Sequence, residues 1–178
     1  MSPKTAESST KASSSRKAAV RSRPAEGRGR SDALQHRVLF VDVGNSTLGP
    51  MAEAFARSQG LEADSAGTMP AHEISGGAVL ALKERGLEPP GSPPRRLDFL
   101  RLADYERIIC MDQGVTATSP DLNAHEHWDL EDPINLEFAL YRRARDAIEV
   151  RVSELAREIL EWSHPEDYPE EAQAPAGL

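Results

Sequence analysis

The sequence predicts a three-layer α/β domain, a four-stranded parallel sheet with helices on both faces, and three observations carry that prediction. The apolar, β-branched run Val38-Leu39-Phe40-Val41 feeds a Gly-containing loop, and Pro50 then opens a helix. Extended and helical patterns alternate along the middle of the chain, which is the signature of parallel strands joined by crossover helices. A final amphipathic helix carries Leu140, Ala144, Ile148, Val152, Leu155, Ile159 and Trp162 at spacings of three and four, a stripe shaped to lie on a sheet.

The elements follow in order. Val38 to Val41 reads as the first strand and Pro50 to Gln59 as a helix burying Met51, Ala54 and Phe55. Leu61 to Ser65 is a short second strand. Ser75 to Arg85 is a helix with Val79, Leu80 and Leu82 on its apolar side, stopped by Gly86. After a Pro-rich loop from Pro89 to Pro94, Leu97 to Leu102 forms a short helix, Tyr105 to Met111 the third strand and His125 to Asp129 the fourth. On the last helix, Arg142, Arg143, Arg145, Glu149 and Glu154 occupy the faces away from the stripe.

Composition divides the chain into three parts. Residues 1–36 are rich in Ser, Ala, Lys and Arg without apolar periodicity and are expected to be a disordered basic tail. Residues 37–163 form one domain, and 164–178, with Pro165, Pro169, Pro175 and four acids, are expected to be a disordered acidic tail. Residues 1–37 hold nine Lys/Arg against three Asp/Glu, and the remainder twelve against 26, so a basic segment precedes a strongly acidic domain. Such a domain does not bind nucleic acid by its own surface, and the tail, without aromatics, offers only weak, nonspecific contact or pairs with its own domain.

No apolar stretch reaches the length of a membrane span, and the basic start lacks the hydrophobic segment of a signal peptide, although its Ser-rich, basic composition also suits an organelle transit peptide. One cysteine and no secretion signal point to a reducing cytoplasm.

The loop from Asp42 to Gly49 falls where such sheets bind ligands, beyond the carboxyl end of a strand. Backbone N–H groups of Val43, Gly44, Asn45, Ser46, Thr47 and Gly49, with the positive end of the following helix, make an anion cradle. It contains no cation, and its first residue is a carboxylate. Gly44 and Gly49 satisfy the glycines of a nucleotide-binding P-loop, but Pro50 and Met51 replace the Lys and Ser/Thr that phosphate and magnesium need. Phosphatases with an aspartyl nucleophile place a second Asp two residues on, where this chain has Gly44.

The segment resembles the phosphate loop of low-molecular-weight protein tyrosine phosphatases and the related thioredoxin-coupled arsenate reductases, whose pattern is Cys, five residues, Arg, Ser or Thr, then Pro-Met-Ala-Glu. Asp42 stands at the nucleophile position, Leu48 at the arginine position and Gly49 at the hydroxyl position, while Gly44, Asn45 and Pro50 to Ala54 match. Ser65-Ala66-Gly67-Thr68, Ile108-Ile109-Cys110-Met111-Asp112 and His127-Trp128-Asp129-Leu130-Glu131-Asp132-Pro133 resemble later family segments in order, the last carrying the general acid at Asp132. The resemblance implies a sheet in the order 2-1-3-4, no cofactor, and a pseudoenzyme: a binding or regulatory domain for a protein or small anionic ligand. The alternative it leaves is a phosphohydrolase using Asp42, with Asp132 as acid.

Physical chemistry supports the first reading. A carboxylate is a poorer nucleophile than a thiolate towards phosphorus, and Asp42 is positioned to accept the loop N–H bonds itself as a tethered anion. Leu48 supplies none of the grip of a guanidinium, a loss on the order of 3 to 4 kcal/mol of transition-state stabilisation. Ile134 after Asp-Pro stands where tyrosine phosphatases usually carry an aromatic. Trp128 and Tyr141 to Ile148 resemble the arsenate reductase branch, yet Cys110 alone cannot form its intramolecular disulfide and reads as a buried hydrophobe. His125, His127 and Asp129 alternate as a metal trio would on one strand face, but no further ligand stands at a recognisable spacing, and no metal site is assigned.

Overall fold

The computed structural model describes residues 37–163. The two tails expected at 1–36 and 164–178, and the place of the Trp162 side chain in the last helix's stripe, lie outside what it describes.

Eight elements build the domain: β1 (Arg37–Asp42), α1 (Leu48–Ser58), β2 (Glu62–Gly67), α2 (Gly76–Lys83), β3 (Arg107–Cys110), α3 (Gln113–Thr118), β4 (Glu126–His127) and α4 (Phe138–Ser163). All strand pairings are parallel, in the order β2-β1-β3-β4, so the expected 2-1-3-4 sheet is present. Side chains alternate across the central strands. Val38, Phe40 and Ile109 face α1, α2 and α4, whereas Leu39, Val41, Ile108 and Cys110 face a thinner layer made by Val115 of α3, Leu97 and Tyr105.

Several boundaries move for identifiable reasons. α1 begins at Leu48, two residues ahead of Pro50, which still falls in the first turn where a missing N–H costs nothing. β2 runs past Ser65 to Gly67, whose backbone approaches Val43 so closely that an added Cβ would lie 2.7 Å from the Val43 carbonyl oxygen. α2 starts after Ser75, whose hydroxyl caps Ala78 N–H, and its C-terminus closes through Gly86 at φ 71°. Its buried side is Ala78, Ala81 and Leu82, while Leu80 is 57% exposed. The helix lies flat on α4 because Gly77 meets the Tyr141 ring, where a Cβ would be 2.5 Å from ring carbons.

In place of one helix at Leu97 to Leu102 there are two short 3-10 turns, Leu97–Phe99 and Leu102–Asp104. β4 has two residues, since the backbone turns left-handed at Asp129 (φ 50°). α3 has no counterpart among the expected elements. On α4, Ala144, Ile148, Val152, Leu155 and Ile159 are buried as the stripe requires. Arg145, expected on an outer face, is 5% exposed: its guanidinium donates to the Ala81 carbonyl and pairs with Glu84 and Asp146, tying α4 to α2.

Candidate functional site

β1 delivers Asp42 to the floor of the 43–47 loop, fully buried. The loop turns at Asn45, whose φ of 46° is a left-handed conformation that Asn tolerates. Asp42 Oδ1 accepts the Asn45 N–H in a short hydrogen bond, and Oδ2 accepts the Gly49 N–H at 2.9 Å. The loop N–H groups of Gly44, Ser46, Thr47 and Leu48 are not among those Asp42 engages. Burial pushes the Asp42 carboxyl up to about 7, and repulsion from Asp132 and Asp112 adds to it, outweighing the two N–H bonds that favour the anion.

Leu48 and Gly49 fit around this carboxylate. Leu48 is 0% exposed and packs with Met51 and Leu82 in the helical core, bringing nothing to the cradle. At Gly49 a Cβ would lie 3.1 Å from Asn45 Oδ1, 3.2 Å from Ser65 Cβ and 3.3 Å from Asp42 Oδ2, a crowded point that glycine leaves clear. Asn45 Nδ2 donates to the Ser65 carbonyl at 3.3 Å, and its Oδ1 finds no donor among the described residues. Behind the loop, buried Glu53 accepts from the Ser65 hydroxyl at 2.6 Å and pairs with Arg57, fixing α1 to β2.

Three further segments frame the mouth. The chain after β2 is zipped to the loop by Met69 N–H to Val43 O at 2.8 Å and Ala71 N–H to Gly44 O at 2.7 Å. Ser75 N–H reaches Ser46 O at 2.8 Å, and the Ser75 and Thr47 hydroxyls stand 3.3 Å apart. Asp112 caps α3 through Val115 N–H at 3.2 Å and also accepts Val43 N–H at 3.3 Å. Asp132 accepts Ile134 N–H at 3.0 Å with the Thr47 hydroxyl nearby, and burial, then Asp112, raise its carboxyl above the ordinary range. Asn135 N–H donates to the Tyr141 hydroxyl at 3.3 Å, anchoring the Asp-Pro loop to α4.

A cavity of about 500 Å³ opens above the loop, between Val43, Gly44 and Ser46 on one side, Ala71 on another, and Asp112, Asp132 and Ile134 on the third. The loop and Asp132 therefore line one mouth, with Asp42 buried beneath the loop, while Leu48 turns away into the core. Asp112 is the residue that motif reasoning left out of the site. Its signal was the Asp-Gln-Gly start of a short capped helix directly after a strand.

The other candidates stand apart. Cys110 is 2% exposed in the thinner layer, and burial, with Asp112 and Asp129 nearby, pushes its thiol up to about 11, so it is a neutral hydrophobe at pH 7. His125 precedes the shortened β4 and its Nδ1 accepts Ile108 N–H at 3.0 Å, while Asp129 lies past the turn, so the two do not share a strand face with His127.

A parallel sheet with a strand, an N–H-lined loop and a helix N-terminus at its carboxyl edge, faced by an Asp-Pro loop, defines a phosphatase-type α/β domain. This chain belongs to the low molecular weight phosphotyrosine protein phosphatase family, whose pattern its residues 37–163 match. It is 30% identical over 125 residues to an arsenate reductase of Brevibacillus brevis, covering 67% of this chain and 92% of that protein. It is 28% identical over 146 residues to a protein-arginine-phosphatase of Geobacillus stearothermophilus, covering 71% and 97%. Among solved structures, an arginine phosphatase from Geobacillus stearothermophilus superposes with a TM-score of 0.61 at 25% identity over 76% of this chain and 99% of that one. An arsenate reductase in the phosphate binding state gives 0.63 at 26% identity over 70% and 98%.

Proposed function

We propose that this chain is a non-catalytic member of its family, a binding or regulatory domain whose cradle recognises a protein or a small anionic ligand. The observation that carries the reading is the Asp42 carboxylate, seated in the cradle on the Asn45 and Gly49 N–H groups where the family's nucleophile would stand. Leu48, packed at the arginine position in the core, supports it, as does Gly49, which leaves room for the Asp42 carboxylate. Substitutions that fit one another in this way favour a repurposed site over drift.

The proposal extends to a cytoplasmic location, on the single cysteine of the sequence. No helix among the described residues is long and apolar enough to cross a membrane.

The test is hydrolysis of a chromogenic aryl phosphate by the purified chain from about pH 4 to 8, a range spanning carboxylate titration. No turnover above the buffer blank is expected. The second reading, an enzyme using Asp42 with Asp132 as acid, draws on two carboxyls that repel each other, Asp132 lining the mouth and Asp42 buried beneath the loop. Turnover abolished by Asp42→Asn would establish it in place of the first.

A further inference from the structure

The chain enters the fold at Arg37, at the end of the sheet opposite the candidate site. The Arg37 carbonyl accepts Glu106 N–H at 2.9 Å, and Arg107 beside it pairs with Glu158 of α4 at 2.7 Å. Two hollows flank this point. One, of about 450 Å³, is edged by Arg37, Arg57 and the start of β2, and its buried carboxylate, Asp64, is already held by Arg37, Arg57, Arg95 and Tyr105.

The other hollow, of about 750 Å³, lies between β4 and the C-terminal half of α4 and is lined by Glu126, Glu154, Glu158 and Glu161. Its two arginines are engaged, Arg151 over the Trp128 ring at 5.8 Å and Arg157 with Glu161 at 3.8 Å. Glu154 makes no ion pair among the described residues, and Glu106, beside the point of entry, keeps a buried carboxylate oxygen without a hydrogen-bond partner among them.

Residues 1–36 carry eight Lys/Arg against three Asp/Glu, and six of those cations fall between Arg16 and Arg30. Past α4 the sequence stays acidic, 164–178 holding four Asp/Glu and no Lys or Arg. β4 lies two strand spacings from β1, about 10 Å, while residues 31–36 reach up to about 20 Å when extended. Arg30 and the residues before it therefore reach the glutamate hollow, whose lining holds four carboxylates against two arginines, whereas in the other hollow Arg37 and Arg57 balance Glu62 and Asp64. Tethering gives the segment a local concentration on the order of millimolar, so weak charge pairing suffices.

We propose that the basic stretch within residues 1–36 docks in the glutamate-lined groove between β4 and the C-terminal half of α4. Docked there, it covers the open edge of β4, and the cations that would meet a polyanion are occupied by the chain's own domain.

Paramagnetic relaxation enhancement in the full chain tests this. A nitroxide on Ser22→Cys labels one site, because Cys110 is 2% exposed. Amides of Glu126 to Trp128 and of the 151–161 stretch are expected to lose at least about twofold in intensity at about 0.05 M salt and to recover at about 0.5 M, where screening shortens the reach of charge. Glu154→Lys with Glu161→Lys is expected to abolish the effect, and Glu154→Gln with Glu161→Gln to weaken it. Broadening centred on the 42–49 loop, broadening at Glu62 to Asp64, or no localised broadening would each overturn the proposal. So would equal broadening in a mixture of labelled unenriched and unlabelled enriched chains, which would place the segment on a second copy.

Discussion

Asp42→Asn isolates the charge in the cradle. Asp42 is fully buried and its carboxyl sits at about 7, against an ordinary value of 3.8. Between these values the folded chain holds a proton that the unfolded chain has released, so stability falls as pH rises through this window and levels off above about 7. The full difference corresponds to about 4 kcal/mol. A carboxamide has the shape of the protonated acid and, like it, can accept from only one of the Asn45 and Gly49 N–H groups. Near pH 4 the variant and the native chain should therefore unfold at similar urea concentrations.

By pH 8 the variant should be more stable, by an amount approaching the same ~4 kcal/mol. The assay is urea unfolding followed by far-UV circular dichroism at half-unit steps. The difference between the two chains removes the contributions of Glu53, Asp112 and Asp132, which are also raised, and of Asp64, which is lowered. A flat difference, within about 0.5 kcal/mol from pH 4 to 8, would mean that the loop N–H groups and helix end fully offset burial, leaving Asp42 an ordinary tethered anion, and would refute the argument that burial raises its carboxyl.

Other consequences follow from the same packing. Leu48→Arg places a guanidinium where the side chain is 0% exposed, and should cost about 3 kcal/mol or more in chemical denaturation unless the arginine swings into the cradle. Gly77→Ala drives a methyl into the Tyr141 ring and should lower stability by about 1 to 3 kcal/mol, read as a lower Tm. Cys110 should resist a thiol-specific disulfide reagent at pH 8 in the native chain and react within the mixing time in urea, and fast native labelling would contradict its burial. Arg145→Met leaves the Ala81 carbonyl without its guanidinium donor and should cost about 1 to 3 kcal/mol in urea, whereas an unchanged midpoint would show that the contact is dispensable.

Where local pattern and tertiary role coincide, the sequence was sufficient. The run from Val38 to Val41, the helix around Pro50 and the long stripe on α4 each carry their own periodicity, and each forms the expected kind of element, α1 starting two residues early. What escaped depends on contacts between distant segments. The burial of Arg145 needs Glu84, 61 residues away, and the exposure of Leu80 follows from the way Gly77 seats α2 on Tyr141. α3 is six residues long, too short for an apolar period, and is betrayed only by its Asp112 cap. Within the candidate site, Asp42 and Asp132 were legible because motifs mark them, and Asp112 was not, because its part arises from the Val43 N–H it accepts across 69 residues.

The bonds framing the mouth form a closed circuit. The loop holds Ser75 through Ser46, α2 sets Gly77 under Tyr141, Tyr141 holds Asn135, and the Asp-Pro loop returns Asp132 to Thr47. A ring of this kind has no free end, so loosening any one joint relaxes both walls of the cavity together. A ligand seated between those walls would be felt at α2 and at the start of α4, some distance from anything it touches. Equally, a partner gripping the outer surface of either helix would hold a lever on the mouth.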